Sequence, residues 1–267
     1  MIKFIRNFIV FIFICGGCFF AYKMIGQETI QNYVTDSRVF VTGNLHGKLD
    51  IEKISVKNFP LQKELDLDDN LIIVGDFGLI WDENIEDEMI LDNLANKNFK
   101  ILFVDGAHEN FNLLNKYEVV ELYGGKAHKI RDNIFHLIRG EVYTIAGKKY
   151  VAFGGGESLD KKYREKGVSY WDEEIPSNDE WENLLNNLEK YNNYVDYILT
   201  YTPPSSDLRM IGAELGRNLG KGSELNIKLQ NLSENIKYKK WFHSYYHLDL
   251  ELSRKHTSLY NKIIELK

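Results

Sequence analysis

Thiols are nearly absent from this chain. Of 267 residues only Cys15 and Cys18 are cysteine, and both lie close to the N-terminus. A disulfide framework and a cysteine-based zinc site are thereby excluded for the body of the protein. Proline is scarce, with four residues, and the 20 glycines follow no fixed period. Collagen-like and low-complexity linker architectures are excluded on that ground. Acid is missing from residues 1–25, which carry only Lys3, Arg6 and Lys23 as charged groups. The rest then holds 30 basic against 39 acidic residues. An acidic body leaves no electrostatic footprint for nucleic acid. Lys161, Lys162, Arg164 and Lys166 form a local basic cluster that reads as a solvated helix face. What remains is ordinary: 44% hydrophobic and 27% charged residues, the composition of a globular chain and not of a disordered or polytopic membrane protein. The length suits one α/β domain.

The one long apolar run spans residues 8–22, behind Lys3 and Arg6 and before Lys23. Fifteen helical residues reach roughly 22 Å, short of a hydrocarbon core of about 30 Å. Asn7, Met24 and Ile25, with Lys23 snorkelling, extend it to a marginal span. The first reading of residues 1–25 is an uncleaved signal anchor, with a signal peptide as the alternative. Cys15 and Gly17 supply small residues before Cys18, which resembles a degenerate lipoprotein signal. All faces of the segment are apolar, unlike a core helix with a polar stripe. Basic residues ahead of the run place the body outside the cytoplasm, membrane-anchored, secreted or lipid-linked. Residues 26–37 form a polar spacer, and the domain proper runs over 38–267.

Three apolar runs, 38–42, 71–74 and 101–104, alternate with candidate helices at 49–59 and 83–98. Strand, helix, strand, helix, strand predicts a mostly parallel layer. The middle changes to short strands at 117–123, 129–138, 141–146 and 150–153, expected to pair as a meander. Residues 178–191 carry Trp181, Leu184, Leu185 and Leu188 at helical spacing. A buried strand at 195–200, a helix at 223–236 and closing strands at 238–242, 247–252 and 258–266 complete an α/β domain with two sheets and helices outside.

Glycine and polar residues gather at the C-terminal ends of these strands, where open α/β sheets bind ligands. The loops are Gly43-Asn44-Leu45-His46-Gly47, Gly75-Asp76-Phe77-Gly78, Asp105-Gly106-Ala107-His108-Glu109-Asn110, Tyr201-Thr202-Pro203-Pro204 and His243-Ser244-Tyr245-Tyr246-His247. In this order they resemble the calcineurin-like metallophosphoesterase superfamily, with its GDxHG, GDxG, GNHE, late-histidine and GHxH motifs. Residues 134–140 (Ile-Phe-His-Leu-Ile-Arg-Gly) and 153–158 (Phe-Gly-Gly-Gly-Glu-Ser), running on to Tyr170-Trp171, are similar to one bacterial branch of it. The resemblance covers nearly all of residues 38–267. It implies a four-layer αββα sandwich with two metal ions between the loops.

Matched residue by residue, the first metal site would comprise Asn44, His46, Asp76 and His247. Asn44 stands where the family has aspartate, so one charge is lost. The second site would comprise Asp76, Ala107, Tyr201 and Tyr245. Alanine has no donor atom, and a tyrosine of pKa about 10 is a poor ligand near neutral pH. A ferric phenolate at Tyr201 or Tyr245 is the only rescue of that site. His108 matches the family residue that contacts phosphate or protonates the leaving group, or else orients a loop through Asp76 or Asp105. The expectation is at most one divalent ion (Mn, Fe, Zn or Mg), or none. The reading that follows is a pseudoenzyme acting as a binding or scaffold module for a phosphate-containing ligand or a protein partner, anchored in a membrane. The alternative is an atypical single-metal phosphoesterase using His108. Gly154–Gly156 lacks the GK[ST] of a phosphate loop, and the 216–223 stretch lacks its spacing. His128, His136, His243 and His256 have no motif context, although a bulge would let His243 replace Tyr245. Asn231-Leu232-Ser233 is a lone glycosylation sequon.

Overall fold

A computed structural model describes residues 37–267. The apolar segment 1–25, with its anchor reading, and nearly all of the 26–37 spacer lie outside the described residues. Among the described residues no helix is long and apolar enough to cross a membrane.

The described residues open with β1 (Val39–Thr42), followed by three short 3-10 turns, Gly47–Leu49, Ile51–Ile54 and Pro60–Glu64. The continuous helix expected at 49–59 is therefore not formed. Asp50 leaves helical geometry between the first two turns, and Ser55 is extended after the second. Then come β2 (Asn70–Val74), α1 (Ile85–Ala95), β3 (Lys100–Val104), α2 (Phe111–Leu114), β4 (Val119–Leu122), β5 (Gly125–Arg131) and β6 (Ile134–Leu137). The single strand expected at 129–138 is two antiparallel strands. The turn at Asp132-Asn133 separates them, and Asn133 Nδ2 donates to the carbonyls of Leu94, Lys97 and Phe99. The second half comprises β7 (Val142–Ile145), β8 (Lys148–Phe153), α3 (Asn178–Lys190), β9 (Tyr197–Thr200), α4 (Leu208–Glu214), α5 (Glu224–Asn235), β10 (Lys240–His243), β11 (Leu250–Glu251) and β12 (His256–Ser258). Last, β13 (Ile264–Leu266) returns to pair antiparallel with β1.

Two mixed sheets result, ordered β13-β1-β2-β3-β6-β5-β4 and β11-β12-β10-β9-β8-β7. In the first, β1, β2, β3 and β6 are parallel, with Asn70 opposite Val39 and Lys100 opposite Asn70. In the second, β8, β9, β10 and β12 are parallel. Strand period two sends alternate residues to opposite faces. Val39, Val41, Ile72 and Val74 of the first sheet thus share one buried cluster with Tyr143, Tyr150, Leu199 and Phe242 of the second. Phe40, Leu71, Ile73 and Phe103 instead join Leu91 and Leu94 of α1. Val151, Ile198 and Trp241 join Leu184 and Leu188 of α3 and Leu229 of α5. Strands covered on both faces read as unbroken apolar runs. Leu185, placed on the apolar stripe of α3 by its spacing, is exposed. Helices α3 and α5 each start at a serine capping box, Ser177 with Glu180 and Ser223 with Asn226.

The loops after the strands are tied to one another by backbone. The N–H groups of Leu45 and His46 both donate to the Asp76 carbonyl at 2.9 Å. Those of Ser244 and Tyr245 donate to the Tyr201 carbonyl, and the Ser244 hydroxyl donates to the Val74 carbonyl. These bonds join the ends of β2, β9 and β10, so residues distant in sequence meet in one place.

Candidate metal centre

His46, Asp76 and His247 meet with one ligand atom of each within 4.8 Å of the others. His46 Nε2 lies 3.4 Å from Asp76 Oδ2. Asp76 is fully buried, His46 half-buried and His247 exposed, so the group opens to solvent on one side. All three residues have left-handed backbone, with φ of 48°, 37° and 52°. Non-glycine residues adopt that region at a cost of about 1 kcal/mol or more each, and such strain gathers at functional sites.

Asn44 completes the set. It is fully buried, its Oδ1 has no partner among the described residues, and its Nδ2 is 3.5 Å from His46 Nε2. A buried acceptor left without a donor costs about 1–3 kcal/mol. An amide oxygen, two imidazoles and a carboxylate together suit one divalent ion, which would satisfy that oxygen. The donor set therefore fits a metal.

The side chains behind this set are fully built. His46 Nδ1–H donates to Asp50 Oδ2 at 2.6 Å, which turns Nε2 toward Asp76. A carboxylate behind a ligating histidine fixes tautomer and ring orientation in this way. The Tyr260 hydroxyl donates to Asp50 at 3.3 Å, and its ring stacks on His247 with centroids 5.1 Å apart. Lys53, buried, donates to the carbonyls of Gly43, Asn44 and Tyr260. Burial brings its amine down to about 8. Burial alone would raise the Asp76 carboxyl, but hydrogen bonds from His108 and His46 hold it well below the usual carboxylate range. Partial desolvation of its ring, and then the neighbouring His46, lower His247.

The other side of Asp76 is filled by protein. Ala107 is buried, and the Tyr201 hydroxyl donates to Asp76 Oδ2 at 2.8 Å. The Tyr201 ring occupies a slot between Gly75 and Gly156, where a Cβ on either glycine would collide with it. Burial and the adjacent Asp76 push the Tyr201 phenol well above its ordinary value. Tyr245 turns away, donating to the Glu157 carbonyl at 2.6 Å, and burial raises it too. Both hydroxyls are spent as hydrogen-bond donors, Tyr201 to Asp76 and Tyr245 to the Glu157 carbonyl.

His108 is held at both ring nitrogens. Nδ1–H donates to Asp76 Oδ2 at 2.9 Å, and the backbone N–H of His108 donates to Oδ1 at 2.8 Å. Arg164 Nη2 donates to His108 Nε2 at 2.6 Å. His108 is thus bonded to Asp76 and not to Asp105. Arg164 corrects the reading of residues 161–166 as a solvated face: its side chain is only 13% exposed and points at the centre. Glu109 is buried and accepts the N–H groups of Phe77 and Gly78, tying the third loop to the second. Burial and Asp76 raise its carboxyl well above the usual range.

Asp105 belongs to the framework. Arg139 donates to it through Nε at 3.0 Å and Nη2 at 2.5 Å, and His136 Nε2 through 3.1 Å. Burial would raise it, but Arg139 and His136 bring it down to about 2. His243 does not replace Tyr245. It is fully buried, 3.3 Å from Asp207, whose carboxylate also accepts from His256 at 2.8 Å.

Sequence reasoning missed Asp50, Lys53, Tyr260 and the inward turn of Arg164. Asp50 alone left a signal, four residues after His46 at the end of one turn. No protein-family model matches the chain, and no curated protein matches it.

Proposed function

We propose that residues 38–267 form a four-layer αββα domain of the calcineurin-like metallophosphoesterase type whose dinuclear centre is reduced to one site. In this reading the protein is a pseudoenzyme: it binds a phosphate-containing ligand or a protein partner and does not run two-metal hydrolysis. Residues 1–25 anchor it in a membrane with the body outside the cytoplasm. The observation that carries the reading is the Tyr201 hydroxyl donating to Asp76 at 2.8 Å from a slot between two glycines. Two-metal hydrolysis needs ions about 3.5–4 Å apart sharing a bridging carboxylate. Here a phenolic proton sits on that carboxylate.

One divalent ion held by His46, Asp76, His247 and the Asn44 oxygen would supply a single positive centre for an anionic oxygen. The chain's own groups prepare the place. Asp50 keeps the His46 proton on Nδ1, Asp76 stays ionised, and Tyr201 keeps its proton. His108 sits as the Nδ1–H tautomer with Nε2 engaged by Arg164, so it carries no proton to give a leaving group.

The test is elemental analysis of the purified full-length protein, with turnover of bis(p-nitrophenyl) phosphate in added Mn²⁺. The expected result is at most one ion per chain and no turnover above background. Two tightly bound ions overturn the reading. Turnover that disappears in His108→Ala would establish the single-metal phosphoesterase instead.

A further inference from the structure

Arg164 reaches the centre from a segment with no ligand of its own. Residues 157–171 lie between β8 and α3, in two short turns. From there the guanidinium is brought to His108, where Nη2 lies 2.6 Å from Nε2. Nη1 donates to the Ser169 carbonyl at 3.1 Å, and Nε pairs with Asp160 at 2.7 Å. These contacts hold the side chain in one orientation from its own segment. A guanidinium has five N–H bonds; in Arg164 one is on Ser169, one on His108, and Nε–H faces Asp160, which leaves one on each Nη. Donors remain on a side chain already fixed and largely withdrawn from water.

Lone imidazoles do not need an arginine. The His108 lone pair would be satisfied by water, since the ring is 38% exposed. Arg164, paired with Asp160 on its Nε side, brings a positive charge to His108 in a domain of net acidic charge. On the other side of His108 lies a cavity of about 390 Å³, lined by His46, Trp81 and His108 together with Lys48, Asp82 and Asp87. That opening admits a small ester group.

We propose that Arg164 is the anion-binding residue of this centre, and that its ligand is a terminal phosphate group. This rests on the reading of the centre as a one-ion phosphate site and assigns the second positive charge to a side chain. The planar fork of arginine matches two phosphate oxygens at once. One ion at His46, Asp76 and His247 would take one oxygen, and the guanidinium would take two others across His108. The lost second ion is thereby answered by an organic cation that binds and orients but does not activate water.

The experiment is calorimetric titration of inorganic phosphate into the full-length protein, once with Mn²⁺ and once with EDTA, for wild type, Arg164→Gln and Arg164→Lys. Mn²⁺ affinity is measured separately on all three. We expect Arg164→Gln to weaken phosphate at least tenfold and Arg164→Lys to fall between. Mn²⁺ affinity should stay within twofold, because Arg164 touches none of the four ligand candidates. Phosphate bound equally well by wild type and Arg164→Gln overturns the proposal, as does a wild type that binds neither inorganic phosphate nor phosphatidic acid vesicles in either buffer. If wild type binds no Mn²⁺ yet holds phosphate in EDTA through Arg164, the one-ion reading falls and this assignment stands. Vesicles containing phosphatidic acid replace inorganic phosphate in a parallel arm. Arg164-dependent binding only in that arm identifies the phosphate group as a lipid headgroup.

Discussion

The two sides of Asp76 have been treated differently. On the side of His46 and His247, each candidate ligand has a partner behind it: Asp50 for His46, the Tyr260 ring for His247, and Lys53 under the Asn44 backbone. On the side of Ala107 and Tyr201, side chains close the space, and the Tyr201 ring packs between Gly75 and Gly156. One half carries candidate ligands with partners behind them, and the other is filled by a phenol and a methyl group. The lesson is that a buried carboxylate can face candidate metal ligands on one side while a phenol satisfies it on the other.

Four changes sharpen or break this contrast. The largest effect is expected from Asn44→Asp, Ala107→Asn, Tyr201→His and Tyr245→His combined, which should raise the ion content to two per chain with only modest phosphodiester turnover. Ligands of one coordination shell act together, so each single change should do little. A quadruple variant that still holds one ion in excess Mn²⁺ breaks the contrast. Next comes Tyr201→Ala, which empties the slot and should cost about 3–4 kcal/mol in urea unfolding; a loss under about 1 kcal/mol would show that the slot collapses and the phenol is not structural. Asp50→Ala should then weaken Mn²⁺ binding about 10–100-fold with the fold intact, read by calorimetry and circular dichroism. Unchanged affinity would remove the support argument for the first half.

The smallest effect lies outside both halves. His128 Nδ1 is 3.0 Å from His136 Nδ1 behind Asp105. Burial and His136 bring its folded pKa down to about 4 from 6.5. A base with a depressed folded pKa contributes stability above its unfolded pKa and loses it as pH falls toward the folded one. Stability should therefore decline between about pH 6.5 and pH 4, by at most about 1.4 kcal/mol per pH unit. His128→Gln should flatten that slope in pH-dependent urea midpoints. An unchanged slope would move the acid sensitivity to another group.

Strands β1, β2, β3 and β9 were readable because each apolar run stops abruptly at glycine or a polar residue, and those stops are where the loops with Asn44, Asp76, His108 and Tyr201 begin. The 3-10 turns after β1 were not, because nothing in the spacing of residues 47–64 marks the break at Asp50. The β5–β6 turn was hidden inside a β-prone run, since Asn133 is buried by bonds to three carbonyls from α1 and the loop that leads into β3. The candidate ligands followed from loop order, and their supports did not. Tyr260 reaches Asp50 across 210 positions, and Arg164 reaches His108 across 56. Contacts set by tertiary folding leave no period in the sequence.

The left-handed backbone at His46, Asp76 and His247 has a kinetic consequence. Ligands mounted on a floppy loop must be collected around an arriving ion, and association then waits on the chain. These three are seated in a narrow conformational well, crossed by the bonds from Leu45 and His46 to the Asp76 carbonyl. An incoming ion would meet a geometry already set, so its exchange would be timed by the shedding of its own hydration water.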